Sequence, residues 1–312
     1  DIGAGTGNGT VTGTGTDNQV MTSTGGSGIQ GEANLTFDGS TLTVTGGITG
    51  STTLTIGSLQ TNSGTLSSIA GGTLNTASAA CSFIGGGCLN NICSGETFAV
   101  IGGGRQNQVD GDYGAIIGGY QNCIIGNDNY VTLGGGYQNC VGSCYAFLGG
   151  GRNNCISGDG AARVIVGGCC NKIITDSSNA FIGAGCLNCI DGDSDEESGS
   201  PFASIVGGLC NFIRCGTYAF IGGGQSNQIC DGFNNHAAIV GGRCNSICCS
   251  SCGFVGGGYN NKMGTIAILS SIVGGTSNCI GTGDCCSFIG GGALNTVNHD
   301  RSSIVGGLCN TI

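Results

Sequence analysis

The 312 residues contain one proline, no tryptophan, two histidines and only eight lysines and arginines, and each scarcity removes a class of function. Phosphate binding needs clustered cations, so eight Lys and Arg against eighteen Asp and Glu, a formal charge of −10, argue against a nucleic-acid partner. No apolar run approaches the roughly 20 residues that span a bilayer, and no signal peptide begins at Asp1, so membrane insertion is not expected. The two histidines, His236 and His299, have no Ser or Cys nucleophile at a recognisable spacing, and among 68 glycines a GxGxxG-like string is uninformative. Neither an enzyme nor a resident cofactor is therefore expected. Asp110, Asp112, Asp128 and Asp159 could pair across a surface as glycosidase acids do, but Asp-Gly loops are turns first. Charged residues make up 8%, and no capped stretch of helical period occurs. The chain is too rich in glycine for a helical domain and too aliphatic and regular for disorder.

What is abundant is a phrase. Fifteen times between Ile69 and Ile312 the chain writes an aliphatic residue, a variable one, Gly-Gly, two variable residues, Asn, one variable residue and an apolar one. Successive copies lie 15 to 18 residues apart, with one interval of 23. A short fixed period means one unit stacked many times. The expectation is an all-β fold, a parallel β-solenoid (β-roll) of about 15 coils of about 17 residues, with strands of about five residues. The Asn recurs as Asn75, Asn90, Asn107, Asn122, Asn139, Asn154, Asn171, Asn188, Asn211, Asn227, Asn245, Asn261, Asn278, Asn295 and Asn310. Asn tolerates a left-handed backbone, so it is expected to turn a corner and to form a hydrogen-bonded ladder from coil to coil. The Gly pair, broken only by Ala184, reads as room for close backbone approach. From Phe147 onward, Phe-Ile-Gly-Gly-Gly copies alternate with Ile-Val-Gly-Gly copies. That alternation reads as large and small residues interdigitating in the core.

Residues 1–66 differ in kind, being rich in Gly and Thr, and are expected to form a stalk or neck of short strands ahead of a repeat domain over 67–312. Leu35, Phe37, Leu42, Val44, Leu54 and Ile56 alternate with polar residues, and Asp38-Gly39 supplies a tight turn. A start without Met and an end inside a repeat phrase read as a processed segment of a longer chain.

All 22 cysteines fall between Cys81 and Cys309 and favour particular columns. Cys123, Cys140, Cys155, Cys189 and Cys279 follow the repeated Asn, whereas Cys170, Cys210, Cys244 and Cys309 precede it. Stacking at about 4.8 Å would let the column Cys123, Cys140 and Cys155 form a cross-coil disulfide. Burial as small hydrophobes, stapling between coils and metal ligation all remain open. Cys186-Leu-Asn-Cys189 and Cys249-Ser-Ser-Cys252 have zinc-like spacing, which a chain this rich in cysteine generates by chance. The long interval contains Asp191, Asp193 and Asp195, an oxygen-ligand spacing that suits Ca²⁺, although a solvated acidic loop explains it more simply.

Phrases such as SIVGGLCNTI, FIGGGCLNNI and FLGGGRNNCI resemble the head repeats of trimeric autotransporter adhesins and related viral fibres. Residues 9–46 resemble the shaft and neck of phage tail-fibre proteins. The resemblance implies a left-handed β-roll, three chains side by side as a homotrimer, and a fibre on a virion surface or in an extracellular setting that attaches to a host glycan or protein. The corner loops 191–201 and 231–236 would be its contacts. The coils here are longer than in adhesin heads, the cysteines are unusual, and the C-terminal chaperone of many phage fibres is not seen, which would require autoproteolytic release or a truncated chain. The alternative is a self-assembling extracellular filament in which the stalk of one subunit joins the solenoid of the next head to tail.

Overall fold

A computed structural model describes residues 19–23, 29–37, 42–44, 54–126, 130–158, 160–192, 199–230 and 235–312. The chain divides into two compact units, Asp1–Ser51 and Thr52–Ile312. In the first, strands Gln19–Ser23, Ile29–Phe37 and Leu42–Val44 form an antiparallel sheet, with Leu35 opposite Val44 and Phe37 opposite Leu42. The turn expected at Asp38-Gly39 lies outside the described residues. In the second unit, parallel pairing begins at Leu54–Thr55 and Thr61–Asn62, one coil ahead of the expected boundary at residue 67.

The second unit is a β-solenoid of two parallel sheets, with sixteen strands in the first and fifteen in the second among the described residues. Each coil but the last gives one strand to each sheet. Phe147–Leu148 and Cys155–Ser157 belong to one coil, and Val164–Ile165 and Lys172–Ile174 to the next. Pairing is in register throughout, so Leu148 lies beside Ile165 and Ile156 beside Ile173. These strands run two or three residues, shorter than the five expected, because left-handed residues interrupt the pleat at two corners of every coil.

Three inward columns fill the core. The first aliphatic residue of each phrase and the apolar residue closing it, such as Ile101 and Val109, are buried in every copy but the last, where the closing Ile312 is exposed. The third column, two residues before the first aliphatic, is mostly Ala or Ser, as at Ala99 and Ser82. The narrow interior leaves space there for a small side chain.

The Asn ladder is present, but the left-handed corner belongs to its neighbour. Leu89, Gln106, Asn153 and Cys170, each preceding a repeated Asn, have φ of 58°, 54°, 53° and 56°. The Asn that follows lies wholly inside the coil. Asn154 illustrates the repeat: its N–H donates to Asn139 Oδ1 at 3.0 Å, and its own Oδ1 accepts from the Asn171 N–H at 2.9 Å. Its Nδ2 donates to the Gly150 and Gly168 carbonyls, both at 2.9 Å. The side chain thus holds three successive coils and offsets the roughly 1–2 kcal/mol that a left-handed L-residue costs.

The alternation of phenylalanine forms has a different cause from the one the sequence suggested. Phe147, Phe220, Phe254 and Phe288 are 41%, 38%, 37% and 37% exposed, so they lie outside the first sheet rather than in the core. Neighbours along a strand point to opposite faces, and the residue beside a buried Ile must face out. Each ring leans over the glycine two residues later. A Cβ on Gly149 would lie 3.4 Å from the Phe147 ring and 2.3 Å from the Val166 carbonyl.

Candidate functional site

The second sheet carries the richest side-chain chemistry. The residue after each repeated Asn faces outward there, and register places Cys123 beside Cys140 and Cys140 beside Cys155. Lys172 follows in the same column, then Cys189. The structure therefore brings together the three thiols nominated from sequence. All are free thiols and half-buried.

Their environments differ. The Cys155 thiol is drawn down to about 6, first by a hydrogen bond from Cys140 and then by Ser157 and the Lys172 ammonium, against burial that raises it. Ser157 Oγ lies 3.7 Å from Cys155 Sγ. Cys140, sandwiched between two thiols that are better thiolates, is pushed far up as the shared donor. Cys123 is lowered through its own hydrogen bond with Cys140. Cys189, beyond Lys172, is raised to about 11 by burial and by Asp191. Within the column Cys155 is thus the thiol shifted toward the thiolate, with Cys140 as its hydrogen-bond donor, an arrangement that favours attack on disulfides and soft electrophiles.

Cys155 is accordingly expected to alkylate with iodoacetamide with a midpoint near pH 6, monitored by peptide mass mapping. Cys140→Ala should move that midpoint upward, and Lys172→Ala should move it less. A midpoint near that of an ordinary thiol in the unaltered chain would remove the proposed thiolate.

The remaining candidates fall apart in space or outside the described residues. Cys186 belongs to a corner column between Cys169 and Leu209, while Cys189 lies on the second sheet, so their zinc-like spacing does not converge. Among the described residues no group of three or more His, Cys, Asp or Glu is arranged to hold a metal ion. Asp191 accepts a hydrogen bond from Thr175 Oγ1 and pairs in register with Arg214 of the next coil. Asp193 and Asp195 lie outside the described residues, as do Asp128, Asp159 and residues 231–234 of the second corner loop.

Other close thiols appear where adjacent coils or corners meet. Cys230 and Cys248, in register on the second sheet, have sulfurs 3.4 Å apart, and so do the vicinal Cys169 and Cys170. A shallow depression of about 310 Å³ opens beside Cys248 where Gly264 and Gly281 carry no side chain, with Lys262 and Cys279 on its rim.

Three features escaped the sequence reading. Phe98, Tyr113, Tyr130 and Tyr145 occupy the second left-handed corner of successive coils and stack with ring centroids 5.2, 4.7 and 5.3 Å apart. Phe202, Tyr218 and His236 repeat the arrangement at 4.8 and 5.0 Å, which gives His236 a structural place. Their common offset from the first aliphatic, three residues before it, was the available signal. Arg163 is fully buried in the column otherwise reserved for small residues. Its guanidinium donates to the Ser157 and Gly158 carbonyls at 2.6 and 3.0 Å and to the Thr175 carbonyl, tying two coils together at a corner.

Comparison of the chain with protein-family models returned no match, and comparison with curated proteins returned none.

Proposed function

We propose that this chain is a structural fibre protein, a viral tail or surface fibre that carries host-attachment surfaces. The observation that supports it is the Asn ladder, unbroken from Asn75 to Asn310, each rung bonded to the coil before it and, as far as Asn295, to the coil after it. A molecule that spends the same buried side chain in every coil on its neighbours gains axial continuity and stiffness. At about 4.8 Å per coil, fifteen coils make a rod about 70 Å long. Constant phrases build the rod, while the intervening corners are free to vary, as the acidic insertion at 191–201 does. Exposed corner aromatics such as Tyr145 and Tyr218 add edges suited to a host glycan or protein.

Two measurements test this reading. Negative-stain microscopy of the purified chain is expected to show discrete rods of uniform length, and end-to-end chains of growing length would favour the filament alternative. Fluorescently labelled protein is expected to adhere to intact cells or to an immobilised glycan. Absence of adhesion across a broad glycan and cell panel would defeat the attachment role.

A further inference from the structure

The outer face of the first sheet has two columns, one just before and one just after each buried aliphatic residue. From Ser68 to Val305 these columns contain no Asp, Glu, Lys or Arg, although the chain carries 26 such residues, eight basic and eighteen acidic. From Phe147 onward their large residues form a checkerboard. A Phe stands in the first column of one coil with Gly in the second, and the next coil has a smaller residue in the first column with Val in the second. Val206, Val240 and Val273 are 49%, 50% and 49% exposed, so the valines stand out from the sheet as the phenylalanines do. The pattern repeats every second coil, about 9.6 Å. Ten side chains each leaving about 70 Å² to water amount to roughly 700 Å² of apolar surface on one uncharged face, larger than soluble monomers ordinarily expose.

We infer that this face, from Phe147 to Val305, is the contact between two copies of the chain, packed sheet to sheet about a twofold axis. The area is close to the roughly 800 Å² per partner of a standard interface, and two such sheets pack at about 10 Å. A flat, uncharged face brings together two chains of formal charge −10 without opposing like charges at the contact. Equal Phe spacing on both copies lets the rings of one enter the rows between rings of the other, as an isologous contact requires. A closed ring of three would need two inclined apolar surfaces on each chain. The second sheet presents thiols, Lys172, Gln228 and Lys262 outward instead. This inference goes beyond the fibre reading, replaces the side-by-side homotrimer that the sequence resemblance implied, and does not rest on host attachment.

The test is light scattering on the full chain under reductant across a concentration series. A mass twice 30.5 kDa is expected. The double variant Phe220→Ser/Phe254→Ser uses the residue that the same column already holds at Ser204 and Ser271, so the fold should survive, as circular dichroism would verify. It removes four aromatic anchors per pair and is expected to weaken association at least 100-fold. Gln228→Lys, on the other sheet, should leave the mass unchanged. A monomeric or threefold mass for the unaltered chain, or a pair that persists in the double variant, would overturn the inference. Loss of pairing with cell adhesion retained would leave the attachment reading standing.

Discussion

Asn154→Ala should destabilise the solenoid by about 3 kcal/mol, from one buried side chain. Asn154 is 1% exposed and stands in the middle of the ladder. Its loss removes the acceptor for the Asn171 N–H and one donor to each of the Gly150 and Gly168 carbonyls. The Gly168 carbonyl keeps the Arg152 N–H, so the groups that lose their partner are the Asn171 amide and the Gly150 carbonyl, and desolvation of the amide alone costs about 1–3 kcal/mol. The emptied corner adds a cavity term. Asn154→Asp separates the two roles of the amide. It keeps an acceptor for Asn171 but sets a carboxylate against two carbonyls, which disfavours the ionised form and raises that carboxyl's pKa in the folded state. The stability of this variant is therefore greatest at low pH and falls as pH rises through the raised value, so it should melt at lower urea concentration at pH 7 than at pH 5. Urea denaturation provides the measurement, with hydrogen exchange at Asn139 and Asn171 locating the damage. Stability of Asn154→Ala within 0.5 kcal/mol of the unaltered chain would show that the ladder is decorative.

The architecture was readable because its determinants are periodic. One nine-residue phrase placed two of the three buried columns and the Asn, and parallel in-register stacking followed from repetition alone. The Asn was recognised as a ladder, yet its neighbour takes the left-handed backbone. No residue type marks that neighbour, which is Leu at 89, Gln at 106 and Cys at 170. Backbone geometry there is dictated by the Asn's hydrogen bonds rather than by local preference. The phenylalanines read as core residues because they are large and apolar, although strand alternation beside a buried Ile requires them to face out. Hydrophobicity and strand geometry point in opposite directions at these positions, and those positions form the inferred contact face. The thiol column was legible from register. The thiolate at Cys155 was not, since it depends on Cys140, Ser157 and Lys172 meeting from three coils.

Two adjacent glycines should respond in opposite ways to the same substitution. Gly104 has φ of +90°, and a Cβ there would lie 2.2 Å from the Gly119 carbonyl oxygen and 2.7 Å from Asn107 Nδ2. The obstructing carbonyl is backbone of the next coil and receives the Asn107 amide, so it cannot withdraw without breaking the ladder. Gly104→Ala is expected to cost about 3 kcal/mol or more through strain, overlap and a damaged rung together. Gly103 is not in the positive-φ region, and the nearest atom to its Cβ is 4.0 Å away. Gly103→Ala should be neutral or stabilising by up to about 1 kcal/mol, because it restricts the unfolded chain. The chain has already made this substitution once, at Ala184, the same position in another copy, whereas the position of Gly104 is glycine in all fifteen copies. Thermal denaturation of the two variants side by side decides the point. Equal losses would mean that both glycines serve general flexibility, and a loss at Gly104 alone would mean that the fold needs glycine where one coil's backbone passes against the next.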